Sequence, residues 1–396
     1  MPFCDSSEKG TRIFYKRFGH GSTKVLLIAG LAGTHDSWRP QVKGLTGSAE
    51  ANVDEDAVAA VGDEGLDVRD QEAQEGIEVC CFDNRGMGRS SVPTNRAEYT
   101  TSIMAKDALA LLDHIGWKKA HVFGHSMGAM IACKLAAMSP ARVCSLALLN
   151  VTGGGFECLP KIDRQMISLA YRFFKAKTPE QRAVVDLETH YTKGYLDEYV
   201  GSCARKDILY QEYVKAISSS GMQSNCGFEG QVNACWNHKM TPKELDTIRS
   251  SGFLISVIHG RYDIIAQLDH ARRLAEKLQP AARMVELLGG HLVSHERPDE
   301  VILSLLELIN ASKSKLQPDE WSNMQEKQAG WLMIAAPLAL TNKNNGVASN
   351  LQAVYNLLGK LQLSFLYCIG IFIMGYEHMR SILKTTKPVK VAASSS

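Results

Sequence analysis

Five residues, Gly124-His125-Ser126-Met127-Gly128, set out the first chemistry this chain could perform. A serine hydroxyl is a weak nucleophile near neutral pH. It works when a base takes its proton and an acid orients the base. The pattern G-x-S-x-G supplies such a nucleophile when it forms a sharp turn from a strand into a helix. Here an apolar run, His121 to Phe123, stands before the motif, and a helical pattern opens at Met127 behind it. A side chain on either flanking glycine would collide with the neighbouring strand and helix. The turn pushes the Ser126 hydroxyl out of the sheet, and the amides opening the helix face the charge that develops during attack.

An acid and a base must follow. Asp263 comes just after the apolar run Phe253–Ile258, and His291 follows the run Met284–Leu288 through Gly289 and Gly290. Both fall at carboxyl ends of strands, as Ser126 does, on the edge where open α/β sheets carry their sites. The order Ser126, Asp263, His291 is the one a strand–elbow–helix nucleophile calls for. In this reading His291 takes the Ser126 proton and returns it to the leaving group, while Asp263 fixes the tautomer and stabilises the imidazolium. His295 is a rival base; the bend that Gly289-Gly290 allows favours His291. A mere cap is the structural alternative for Asp263, and Asp269 lies too far into the next helix to replace it. His125 reads as packing or binding locally. His35 reads as a surface-loop residue, with lining of the pocket as the alternative. Asp83 and Arg85, catalytic by type, read as a structural ion pair with loop amides. No metal ligands converge and no G-x-G-x-x-G follows a strand, so no metal and no cofactor are expected.

The positioning elements follow from periodicity. Thr11–Phe18 alternates as an antiparallel edge strand. Lys24–Ala29 is a continuous apolar run, as a central parallel strand should be. The loop from Gly30 enters a helix capped by Asp36 or Ser37. Ile77–Phe82 and Val143–Leu149 are further strands, with helical spacing over Ile103–Ile115 and Met127–Met138. The rhythm resumes at Phe253, with a helix over Gln267–Leu278 and a last one opening at Pro298. Such alternation predicts an α/β chain with a mostly parallel sheet, flanking helices and right-handed crossovers. Residues from about 151 to 246 are amphipathic and lack buried strand runs, and read as an inserted helical cap. From about 48 to 76, acidic residues face a single basic one, Arg69, as in a solvated insertion without calcium-loop spacing.

The expected organisation is a body over 1–310 and an extension over 311–396 with an apolar helix at about 361–376. That apolar run is shorter than the roughly 20 residues of a spanning helix, although its basic flank suits anionic lipid. Membrane association, packing on the body and packing on a second subunit all stay open, as does the oligomeric state. With 396 residues, 45% hydrophobic, the chain can bury a large core. A net charge of +2 and no basic stripe through the first three hundred residues argue against a nucleic-acid partner. The 10 cysteines include no C-x-x-C and read as buried reduced thiols. The start, Met1 to Lys9, has no apolar stretch of signal-peptide length, so a reducing, intracellular and cytoplasmic setting is expected.

Three motifs carry a family likeness: Gly124-His125-Ser126-Met127-Gly128, Asp83-x-Arg85-Gly86-x-Gly88-x-Ser90, and Gly260-x-x-Asp263 followed by Gly290-His291. On these the chain resembles the α/β-hydrolase fold family over about residues 11–310. The likeness is to small-substrate hydrolases of esterase, enol-lactonase, carbon–carbon hydrolase and aminoacrylate-hydrolase type, and the tail resembles that of plant members without an assigned activity. The resemblance implies an oxyanion hole from the backbone amides of Leu31 and Met127, with Gly30 and His125 beside the substrate pocket. Many relatives carry His-Gly where this chain has Ala29-Gly30. That departure removes a bracing hydrogen bond but not the main-chain donor. The implied activity is cleavage of a small or medium ester, lactone or related acyl substrate through an acyl-enzyme on Ser126, and the implied partner is a small molecule. Alternatives on the same fold are carbon–carbon hydrolysis by the same residues and a non-catalytic ligand receptor or membrane-associated interaction protein. Epoxide hydrolases and haloalkane dehalogenases fit less well, since their nucleophile is an aspartate where this chain has Ser126.

Overall fold

The computed structural model describes residues 2–6, 10–52, 75–161, 163–220 and 223–323. Its strands are β1 (Phe3–Asp5), β2 (Arg12–Phe18), β3 (Thr23–Ile28), β4 (Ile77–Phe82), β5 (Ala120–His125), β6 (Val143–Leu149), β7 (Tyr199–Val200), β8 (Cys203–Ala204), β9 (Leu254–Gly260) and β10 (Ala282–Leu287). Eight of them form one sheet in the order β1-β2-β4-β3-β5-β6-β9-β10, and β7 and β8 form a small separate ladder. From β4 to β10 every neighbouring pair in the large sheet is parallel.

Both faces of the sheet are covered, which is why its central strands are mostly apolar. Val122, Leu146 and Ile255 pack on one side with Leu111 of the helix Thr101–His114, Ile131 of Met127–Met138 and Leu274 of Leu268–Lys277. Val25, Leu27, Phe123 and Leu149 point the other way, toward Trp38, Val42 and Leu305. Residues 150 to 253, between β6 and β9, carry the helices Arg164–Lys175, Pro179–His190, Lys193–Asp197, Arg205–Ser220, Asn225–Trp236 and Pro242–Arg249, the last of which runs past the expected cap boundary at about 246.

Three details depart from the sequence reading. The edge strand is Phe3–Asp5, and Arg12–Phe18 lies inside it, paired to β1 and β4. Three residues are too few for alternation to register, and Phe3 is held by an edge-on ring contact with Phe14 at 5.5 Å. Neither Asp36 nor Ser37 caps a helix. A 3₁₀ turn, His35–Trp38, feeds the helix Arg39–Thr46, and no side chain caps either one. The body also continues past residue 310. The helices Pro298–Lys313 and Pro318–Asn323 follow, with Trp321 buried and its indole N–H donated to Ile255 O at 2.7 Å. A lone tryptophan in a polar stretch gives no periodicity from which to read this.

Most of the acidic insertion, residues 53–74, and the apolar run at 361–376 lie outside the described residues. Among the described residues no helix is long and apolar enough to cross a membrane, and no three potential metal ligands cluster.

Candidate active site

Ser126 follows β5 and precedes the helix Met127–Met138, at φ 53° and ψ −120°. A non-glycine residue held there stores roughly 1–3 kcal/mol of backbone strain, which the surroundings must sustain. They do so through close packing. A Cβ on Gly124 would lie 2.3 Å from Gly128 O, and one on Gly128 would lie 2.0 Å from Ile28 O. The Ser126 amide donates to Leu149 O at 2.8 Å, which ties the turn to the end of β6.

The three residues expected to cooperate come together. Ser126 Oγ is 3.1 Å from His291 Nε2, and His291 Nδ1 is 2.8 Å from Asp263 Oδ2. With Nδ1–H given to the carboxylate, Nε2 keeps its lone pair for the serine proton. Asp263 is fully engaged. Its Oδ1 accepts the amides of Ile265 and Ala266 at 2.8 Å each, and its Oδ2 also accepts Asn150 Nδ2 at 2.8 Å. Burial alone would raise this carboxyl. The His291 charge and hydrogen bond, His259 and the Asn150 amide outweigh burial and hold it at about 2.

His295 is occupied elsewhere: Nε2–H donates to Ser37 O at 2.7 Å, and Nδ1 meets the Tyr191 hydroxyl at 3.0 Å. His125 gives Nε2–H to His291 O at 2.8 Å, and its ring lies 5.0 Å from the His291 ring. Burial first, then the neighbouring His291, pushes its pKa down to about 3, so it is a neutral brace. Gly30 lies against the elbow, since a Cβ there would be 3.2 Å from Ser126 Cβ. Leu31 follows it, and Met127 opens the helix; among the described residues neither amide has an acceptor.

Asp83 and Arg85 do not pair with each other as expected. Arg85 forks onto Asp107, Nε to Oδ2 and Nη2 to Oδ1, both at 2.7 Å. Asp83 instead accepts the amides of His35 at 2.8 Å and Arg89 at 2.9 Å. His35 is buried against Asp83 (Nδ1 to Oδ1, 2.8 Å), not on a surface loop.

Several supporting residues escaped the sequence reading. Asn150, just past β6, also donates to Gly290 O at 3.2 Å and so ties the acid loop to the base loop. Glu296 accepts the amides of Gly290 at 2.9 Å and Thr192 at 2.8 Å. His190, at the end of a cap helix, brings its ring to 5.8 Å from that of His291. Asn150 gave a usable signal, a polar residue closing an apolar strand at the same edge as Ser126. Glu296 and His190 gave none. A cleft of about 550 Å³ is lined by cap residues such as Tyr191 and Lys193 and by Tyr262, Ile264 and Gly290; Ser126 is not among them.

Over residues 24–298 the chain matches the family model described as alpha/beta hydrolase fold, and the chain belongs to that family. One relative is a protein of Azorhizobium caulinodans named as a candidate carbamate hydrolase, RutD. It is 31% identical over 180 residues, 46% of this chain and 54% of the relative, so the chain spans about half the length of that protein. Another, from Mycobacterium tuberculosis, is named as a candidate non-heme bromoperoxidase, BpoC, and is 26% identical over 60% of this chain and 85% of its own. Among solved structures, the enol-lactonase from Burkholderia xenovorans LB400 superposes with a TM-score of 0.57 at 20% identity, covering 78% of this chain and 100% of that one. That likeness is one of fold.

Proposed function

We propose that the chain is a serine hydrolase that cleaves a small or medium ester, lactone or related acyl substrate through an acyl-enzyme on Ser126. One observation carries the reading: the unbroken relay from Ser126 Oγ through both nitrogens of His291 to Asp263, with links of 3.1 and 2.8 Å. In the first half, Ser126 Oγ attacks the carbonyl carbon and its proton passes to His291 Nε2. The oxygen that gains charge turns toward the amides of Leu31 and Met127. Collapse expels the alcohol, which leaves with the His291 proton. In the second half, His291 takes a proton from water, the resulting hydroxide attacks the acyl carbon, and the carboxylic acid departs as Ser126 regains its proton. Asp263, held at about 2, stays ionised throughout and stabilises the imidazolium. A carbamate, the group named for one relative, presents an attackable carbonyl, which supports the acyl class and leaves its member open.

The test is a panel of p-nitrophenyl esters graded by acyl length, run beside a fluorophosphonate label on the intact chain. Turnover and labelling are both expected, and both should vanish in Ser126→Ala. A folded wild type that takes no label sinks the proposal.

A further inference from the structure

We infer that Gln231, on the cap helix Asn225–Trp236, is a positioning residue for the loop that carries the Leu31 amide. This helix is thereby a fixed part of the reacting site, not a lid above it. The inference rests on the acyl-enzyme reading above and names a further residue that the reading requires.

The argument starts from the loop after β3. A peptide unit is planar, so fixing its C=O or its N–H fixes both. The Ala29 carbonyl accepts Asn84 Nδ2 at 2.8 Å, which holds the plane shared by Ala29 and Gly30. The Gly30 carbonyl accepts the Gly33 amide at 3.2 Å, which turns the Leu31 N–H to the opposite side of its plane. The next plane, between Leu31 and Ala32, ends in the Ala32 amide, and that amide donates to Gln231 Oε1 at 2.9 Å. Ala32 itself sits at φ 58°, a left-handed conformation that alanine adopts only when held there. Of these three restraints, only the last comes from the cap, from a residue 199 positions away.

Gln231 is in turn immobilised. It is fully buried, its Nε2 donates to Arg85 O at 2.9 Å, and its Oε1 also accepts Gln223 Nε2 at 3.0 Å. Gln223 donates to Gly86 O at 2.9 Å, so the cap grips the loops after β3 and β4 together. The helix has no slack against the body. A Cβ on Gly227 would lie 2.1 Å from Gly86 O, and one on Gly230 would lie 2.4 Å from the Tyr99 ring. Spaced three and four apart, Gly227, Gly230 and Gln231 form one helix face. Two glycines bring the backbone in, and the glutamine reaches the loop. Asn233 docks the same helix from beside this face, donating to Arg96 O at 3.2 Å and Tyr99 O at 3.3 Å, without touching the loop.

The experiment compares the full chain with Gln231→Met, which keeps the volume but removes the acceptor for Ala32, and with Asn233→Ala, which loosens only the docking. The p-nitrophenyl ester that the wild type hydrolyses fastest is the substrate, a trifluoromethyl ketone reports the tetrahedral state, and a thermal midpoint reports folding. Gln231→Met should lower kcat by about 10- to 100-fold while KM changes less than about threefold. Its affinity for the ketone should fall by the same factor as kcat. Asn233→Ala should lower the midpoint and leave kcat near wild type. An active wild type with unchanged kcat in Gln231→Met overturns the inference alone. Equal losses of kcat in the two variants, in step with their midpoints, also overturn it, because the role is then structural. A wild type with neither turnover nor fluorophosphonate labelling overturns the acyl-enzyme reading, and this inference with it.

Discussion

Asp263, at the sheet edge, is buried and takes hydrogen bonds from two backbone amides, the Asn150 side chain and His291. On the cap helix Arg164–Lys175, Ile167 and Tyr171 stand one turn apart at 61% and 59% exposure. The first region spends its polar groups holding a single arrangement; the second leaves large apolar groups facing solvent. An arrangement with every lone pair engaged can hold an ionised group in one place, as proton transfer requires. A half-covered apolar helix tolerates change, as selection among substrates requires. In the proposed reaction the attack geometry belongs to the sheet edge and variation to the outer cap, with the inner helix Asn225–Trp236 on the rigid side of that division.

The largest test of this contrast is at the edge itself. Ser126→Ala should lower kcat by about 10⁶-fold, and Asp263→Asn by about 10⁴-fold through a wrongly held His291 tautomer. Steady-state kinetics on a chromogenic ester measure both. An Asp263→Asn variant within tenfold of wild type would mean that Asp263 does not orient the base.

Acid stability divides the molecule in a second way. Burial first, and a nearby Lys313 second, push His121 down to about 4; burial first, then neighbouring charge, pushes His125 and His238 down to about 3. The unfolded chain binds these protons from about pH 6.5 downward while the folded chain refuses them, so stability falls as pH drops from about 6.5 toward 4. Each histidine contributes up to about 1.4 kcal/mol per pH unit within its own window. Asp263 acts with the same sign in a lower window: its contribution is present above the unfolded value of 3.8 and is lost as pH falls from there through about 2. Urea unfolding at several pH values measures the slope. His238, in the cap between the helices Asn225–Trp236 and Pro242–Arg249 with Nδ1 at 2.9 Å from Thr101 Oγ1, supplies the separating variant. His238→Gln should flatten the slope by one histidine's share, and an unchanged slope would mean that His238 is not held neutral.

The same division explains what could be read from the sequence. Ser126, Asp263 and His291 each close an apolar strand, and strand ends are local signals, so the edge was legible before any contact was known. The strands of the large sheet fall on the runs read along the chain, apart from Phe3–Asp5, whose three residues carry no period. Partner choice was not legible. Arg85 finds Asp107 rather than Asp83 because a helix brings Asp107 beneath it, a fact of packing with no trace in the motif around Arg85. Gln231 is one polar residue among many in amphipathic helices, and its meaning depends on a left-handed Ala32 that no composition signals.

The smallest expected effect tests the tolerant side. In the helix Arg164–Lys175, Leu169 faces inward and is buried, whereas Ile167 and Tyr171 face out. Replacing either outward residue by serine removes apolar surface that is already mostly in water, so stability should change by less than about 0.5 kcal/mol. Chemical denaturation reads that change directly. The catalytic constants of a short-chain ester should stay near wild type in both variants, because neither side chain reaches the relay of Ser126, His291 and Asp263. A loss of more than about 1 kcal/mol would show that this face is covered in the folded chain, and the cap would then be rigid throughout rather than rigid only along Asn225–Trp236.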